Sequence, residues 1–331
     1  MLDFIHIGLG KCMSTFMQRL WYQDPLYTTY RGQEIAAEIS KNVIAKINSR
    51  NSTEDQLYGI KFPDKKSEVS CLTSETFSFV LADEFCLAEH FELRHRSMAS
   101  ALAGQSRRVF ILVRDPLDWI KSAHAQHINQ GGYLNRSDFL QKYEETIIGN
   151  LNLQSIIDIW SHFNFEPVCM SVESFKRDRS KFWLEYERLL GVVAPTKENQ
   201  NIQITNDNVT NYEALATQAS VNHVLYMLEA TMDPLFFTSQ AEMDLIKERL
   251  DYTKRWAARR ALQMPGKEHL TAFEGQLKIP NKIEFKQFFI NKCLVDFIEN
   301  SFCKPLQKME HMKLSAEGYS KKLQSEAIGA S

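Results

Sequence analysis

No charge of one sign dominates this chain. Its 331 residues carry 39 basic and 41 acidic side chains, a net charge of -2. Such a balance gives no global field to gather polyanions, so nucleic acid is not an expected partner and any anion site has to be local. Long hydrophobic runs are missing too. No apolar stretch approaches the ~20 residues of a membrane span, so no membrane span is expected. The opening residues show no basic segment followed by a signal-type apolar run, and a cytoplasmic location is expected. Cysteine is sparse and unpatterned: Cys12, Cys71, Cys86, Cys169, Cys293 and Cys303 form no CxxC pair and have no histidine cluster at ligand spacing. This argues against a structural zinc site or a disulfide framework, and no metal is expected.

What the chain does have is core material. With 44% hydrophobic and 11% aromatic residues it can bury one large α/β domain or two smaller ones. The segment 2–8, "LDFIHIG", alternates as a strand, and 14–22 follows as a helix. A helix is expected over 34–49, an exposed polar loop over 50–67, a second strand over 69–79 and a helix over 84–103. "RRVFILVRDP" (107–116) has a continuous apolar run closed by Arg-Asp-Pro, which predicts a strand buried on both faces of a parallel sheet. Helices over 117–129 and 137–163, a fourth strand over 166–175 and a helix over 179–192 complete the pattern. Alternating strands and helices imply right-handed βαβ units, hence an α/β fold with a central parallel sheet flanked by helices. After Pro195 a polar linker leads, from 211, into a helical pattern whose last fifteen residues read as frayed. Residues 1–195 thus read as the α/β core. Residues 196–331 read as a mostly helical extension that completes the domain or forms a lid or acceptor region.

The first strand runs into Gly8-Leu9-Gly10-Lys11-Cys12-Met13-Ser14-Thr15. A dinucleotide fingerprint needs a third glycine where Met13 stands. A Walker A loop needs a glycine where Ile5 stands. Neither template fits, yet a strand feeding a glycine turn and a helix presents free N–H groups at the positive end of the helix dipole. Lys11 adds a charge, and Ser14 and Thr15 add hydroxyl donors. A helix cap beside an exposed lysine is the ordinary alternative. Met13, lacking glycine's freedom, is expected at negative φ.

A second motif changes the weighing. In "RDPLDWIKS", Arg114 leaves the end of a central strand and Ser122 lies eight residues on. Together with the Lys-x-x-Ser-Thr turn about a hundred residues earlier, this resembles the sulfotransferases that use 3′-phosphoadenosine 5′-phosphosulfate (PAPS), in their bacterial, carbohydrate-type branch. "RDPLDWIKSAHAQHINQGG", the following "SDFL" and "VCMSVESFKRDRSKFWLEYERLLGV" extend the likeness over roughly residues 1–195. The resemblance implies a P-loop-like fold in which Gly10, Lys11, Cys12, Met13, Ser14 and Thr15 hold the 5′-phosphosulfate. It implies that Arg114 and Ser122 grip the 3′-phosphate, and that adenosine 3′,5′-bisphosphate (PAP) is released. Cys12 and Met13 depart from the Ser-Gly usual in that turn.

Lys11 is then the expected catalytic donor to the leaving phosphate, and an acceptor hydroxyl also needs a base. Glu75, in "CLTSETFS", is the first candidate, with helix capping as its alternative. Glu34, opening a helix, is the second. His124, on the helix after Ser122, is the third, with a core or surface role as the alternative. The basic run 247–260 reads as a solvated helix face or as a lid. The expected acceptor is a small molecule or a glycan, and the helical C-terminal part is the surface through which two copies would pair. The competing readings are a nucleotide-binding P-loop phosphotransferase and a catalytically degenerate binding protein of the same fold.

Overall fold

Five short strands make one parallel sheet in the computed structural model, which describes residues 1–49, 60, 62–63, 67–74, 87–196, 215–216, 218–220, 222–223, 226 and 290–328. Most of the expected loop 50–67, the candidate base Glu75 and the basic run 247–260 lie outside the described residues. The strands are β1 (Phe4–Ile7), β2 (Tyr27–Arg31), β3 (Val69–Ser74), β4 (Arg108–Val113) and β5 (Glu166–Ser171), in the spatial order β2-β3-β1-β4-β5. Ile7 lies level with Ser74 of β3, and Ile5 with Val109 of β4. β1, β3 and all but the first residue of β4 are buried, as expected of a parallel sheet covered on both faces.

The helices fall where apolar spacing places them: α1 (Ser14–Gln23), α2 (Gln33–Ser49), α3 (Ala88–Leu102) and α4 (Pro116–Asn129). The expected helix over 137–163 is two, α5 (Arg136–Leu151) and α6 (Leu153–His162), because the Asn152 side chain accepts from the Ser155 N–H and starts a new helix. The strand expected to reach residue 175 stops at Ser171 for the same kind of reason. The Ser171 hydroxyl caps α7 (Val172–Arg177) by accepting from the Ser174 N–H. Asp178 then caps α8 (Arg179–Leu190), which ends at Gly191 with φ 61°.

β2 was not expected. "YTTYR" follows a proline turn, is only five residues long and sits at the sheet edge, so neither a buried run nor a clean alternation marks it. Its Arg31 lies level with Thr73 of β3.

As far as Ile328 the C-terminal residues are helical as expected and are not frayed. After α9 (Lys292–Ile298) the chain winds through a π-helical turn (Glu299–Cys303), α10 (Lys304–Gln307) and a short 3-10 turn into α11 (Lys313–Ile328). Ala316, Tyr319 and Leu323 are buried on a narrow stripe of α11. Its polar residues, which suggested fraying, are docked as well. The Ser315 hydroxyl donates to Ser171 Oγ at 3.1 Å, and Tyr319 donates to Glu173. Lys322 pairs with Asp115 at 3.2 Å and with Asp118 at 2.7 Å.

By internal contacts the chain divides into two units. One holds Met1–Trp119, Tyr143–Ile204 and Ile290–Ser331; the other holds Ile120–Lys142 and Thr205–Phe289. The C-terminal helices therefore belong with the sheet, and no single cut at residue 195 separates the units. Among the described residues no helix is long and apolar enough to cross a membrane.

Candidate functional site

In open α/β sheets ligands bind outside the carboxyl ends of the strands, where successive connections diverge to either side. Here that point is β1, flanked by β3 and β4. The turn leaving β1 is the glycine turn of the sequence.

Its backbone is unusual. Lys11 has φ 65° and Met13 has φ 62°, whereas the intervening Cys12 is not at positive φ. The expectation of negative φ at Met13 is therefore corrected. A non-glycine residue in the left-handed region costs about 1–2 kcal/mol and persists only where its surroundings enforce it. The surroundings here are specific. The Trp119 indole donates to the Gly10 carbonyl at 2.7 Å, Arg114 Nη1 to the Lys11 carbonyl at 3.3 Å, and the Cys12 N–H to the Leu9 carbonyl at 3.1 Å. The Met13 carbonyl takes the Met17 N–H at 3.1 Å. With the carbonyls held this way, the backbone has the alternating φ signs of a nest, a turn conformation that can present N–H groups to an anion. No side chain caps α1, so the N–H groups of its first turn face the same requirement.

Ser14 lies within this cradle. It is 2% exposed, and its hydroxyl has no hydrogen-bond partner in the protein. A buried orphan hydroxyl at an uncapped helix start fits a bound anion, since such a group left unsatisfied costs about 1–3 kcal/mol. Thr15 is exposed beside it, Lys11 is half-buried and Cys12 is fully buried. Gly8 explains its own identity. A methyl group there would lie 2.1 Å from Ser14 Oγ and 2.9 Å from His6 Cε1. Gly8→Ala is expected to lower stability by about 1–3 kcal/mol through overpacking and to weaken anion binding by displacing Ser14. Thermal unfolding, with and without inorganic pyrophosphate, checks both effects.

The Arg-Asp-Pro corner also has a structural explanation. Asp115 Oδ1 accepts from the Asp118 N–H at 3.0 Å and caps α4, and Pro116 takes the first helical position, where a missing N–H is harmless. Glu173 Oε1 accepts the Asp115 N–H at 3.3 Å. Burial raises the Asp115 carboxyl above its usual range, and Lys322 acts against that rise. The corner thus fixes where Arg114 leaves β4, and Arg114 reaches back to the loop.

The structure therefore brings together Gly10, Lys11, Cys12, Met13, Ser14, Thr15 and Arg114. Glu34 is exposed in the first turn of α2, just past β2. Ser122 and His124 fall in the second unit, Ser122 half-buried on α4. His124 is buried there, its Nε2 bonded to the Leu134 carbonyl at 2.9 Å and its ring 5.0 Å from Phe139. Burial pushes its pKa down to about 4, which makes the ring a weak base. Trp119 is a buried brace of the loop. A cavity of about 510 Å³ lined by Glu92, Arg96, Asn152, Asp158, His162 and Asn300 shares no residue with the loop.

No protein-family model matches the chain. No curated protein matches it either. Among solved structures it is similar to a sulfotransferase from Alicyclobacillus acidocaldarius, at 14% identity and a TM-score of 0.40, over 70% of this chain and 95% of that one.

Proposed function

We propose that this protein is a PAPS-dependent sulfotransferase acting on a hydroxyl or amine of a carbohydrate or small metabolite. The observation that carries the reading is the strained loop between β1 and α1, with Lys11 and Met13 at positive φ, an orphan buried Ser14 hydroxyl and Arg114 tied to its backbone. Bound PAPS would supply an activated sulfuryl group on a phosphate leaving group.

The nest N–H groups and the hydroxyls of Ser14 and Thr15 would hold the 5′-phosphate. The Lys11 ammonium would stand at the bridging oxygen, where negative charge develops. Like phosphoryl transfer, this chemistry asks a protein mainly to position its partners and to stabilise charge. Arg114 has five N–H donors in a fixed fork, enough to keep its bond to the Lys11 carbonyl and also take a 3′-phosphate. Ser122, eight residues on in the sequence, would share that phosphate. Glu75 is the proposed base for the acceptor's proton.

Calorimetry tests the reading. Adenosine 3′,5′-bisphosphate is expected to bind at least about tenfold more tightly than AMP or ATP, since only a 3′-phosphate gives Arg114 a charge-assisted partner. Equal affinity for AMP would remove the reading's main support. A preference for ATP with magnesium would favour a phosphotransferase instead. Tight binding without turnover on any acceptor would favour a degenerate binding protein.

A further inference from the structure

His6 lies on β1 two residues before Gly8 and is fully buried between Trp21, 5.0 Å away edge to face, and Phe110 at 5.6 Å. An imidazole inside a parallel sheet needs a reason, because each of its nitrogens must find a partner or cost free energy. One has a partner: Nδ1 is 2.8 Å from the Thr73 hydroxyl. The other does not. Nε2 is buried and without a hydrogen bond in the protein, as is the Ser14 hydroxyl. Both border the bare face of Gly8, 3.0 Å and 2.1 Å from where a methyl would stand. The two orphan atoms therefore flank one point beside Gly8, near enough to each other for one water molecule to join them.

The proton positions follow from the neighbours. Thr73 Oγ1 also receives the Gln18 side-chain N–H at 3.2 Å. An amide N–H can only donate, so the one partner in this pair able to accept the Thr73 hydroxyl proton is His6 Nδ1. A neutral ring whose Nδ1 accepts must carry its proton on Nε2, the atom facing Gly8 and Ser14. Burial keeps the ring neutral, lowering its pKa to about 3.

We infer that His6 is a positioning residue for the anion loop. Its Nε2–H, set by the Gln18–Thr73 pair behind it, donates to Ser14 Oγ through one water and so turns the Ser14 proton towards the bound anion. The assignment rests on the functional reading above only for the anion's identity. The polarity of the chain from Gln18 to Ser14 is a property of the free protein. Gly8 completes the arrangement, since any side chain there would fill the space between the two groups.

Nitrogen-15 NMR of histidine-labelled protein, without ligand, is the first test. His6 should show a protonated Nε2 and an unprotonated Nδ1, and its Nε2 resonance should shift in Ser14→Ala. A proton on Nδ1, or an unmoved resonance in Ser14→Ala, overturns the inference without any need for a destabilising change at residue 6. The second test is binding of adenosine 3′,5′-bisphosphate to two isosteric variants. His6→Gln keeps a donor near the Nε2 position and should stay within about threefold of wild type. His6→Asn keeps only the Nδ1 side and should bind about five- to tenfold more weakly, the worth of one buried hydrogen bond. Adding Ser14→Ala to His6→Asn should then cost nothing more. Equal losses in the two variants, or additive losses with Ser14→Ala, would make His6 a packing residue. If the wild type takes up no adenosine 3′,5′-bisphosphate, the functional reading fails, and the tautomer still decides the role of His6.

Discussion

Lys11→Ala is expected to lower kcat for sulfuryl transfer by about 10²–10³-fold while weakening adenosine 3′,5′-bisphosphate by less than about tenfold. The split follows from the loop's geometry. The ground-state phosphate would be held mainly by backbone N–H groups, whose directions are set by the ties from Trp119 to Gly10 and from Arg114 to Lys11. These ties end on carbonyls, so they survive truncation of the Lys11 side chain. The ammonium matters most when the leaving oxygen gains charge, and an interaction strengthened only in the transition state appears in kcat. Alanine also keeps a Cβ at the positive-φ position and so does not release the strain there. Single-turnover rates and equilibrium binding, measured on the same variant, separate the two effects. A loss confined to the KM for PAPS would reduce Lys11 to a binding residue.

The features legible in the sequence were those written in side-chain pattern. "FIHI" and "RVFILV" could only be buried strands, and the Asp-Pro after Arg114 already carries the cap and first-turn residue of α4. The β2 strand escaped because an edge strand need not bury both faces. Docking of α11 escaped because three buried apolar residues spaced along a polar helix leave little apolar signal, and because ion pairs such as Lys322 with Asp115 have no local signature. The loop was legible as a glycine turn between a strand and a helix but not in its backbone. Reasoning from the absent glycine gave Met13 the wrong sign of φ, since tertiary bonds to neighbouring carbonyls outweigh a cost of about 1–2 kcal/mol. His6 carries no motif. Its partner Thr73, which also takes the Gln18 amide, lies far from it in sequence and carries no local signal.

Glu75→Gln is expected to cut kcat by about 10²-fold while leaving nucleotide affinity nearly intact, within the range that general bases contribute. The surroundings of the other two candidates argue against them. His124 is buried, its Nε2 is committed to the Leu134 carbonyl and its pKa lies near 4, so it takes up a proton poorly at neutral pH. His124→Ala should therefore act through stability, by removing a ring packed on Phe139, rather than through the pH profile of kcat. Glu34 is exposed in the first turn of α2, where a carboxylate favours the helix dipole, and Glu34→Gln should cost only a few tenths of a kcal/mol in stability. Glu75 directly follows Ser74, the residue level with Ile7 at the start of the glycine turn. Replacing it with glutamine keeps size and hydrogen bonding and removes only basicity, so the acidic limb of the kcat profile should disappear with the activity. Normal turnover in Glu75→Gln, together with inactivity in Glu34→Gln, would move the base to the end of β2.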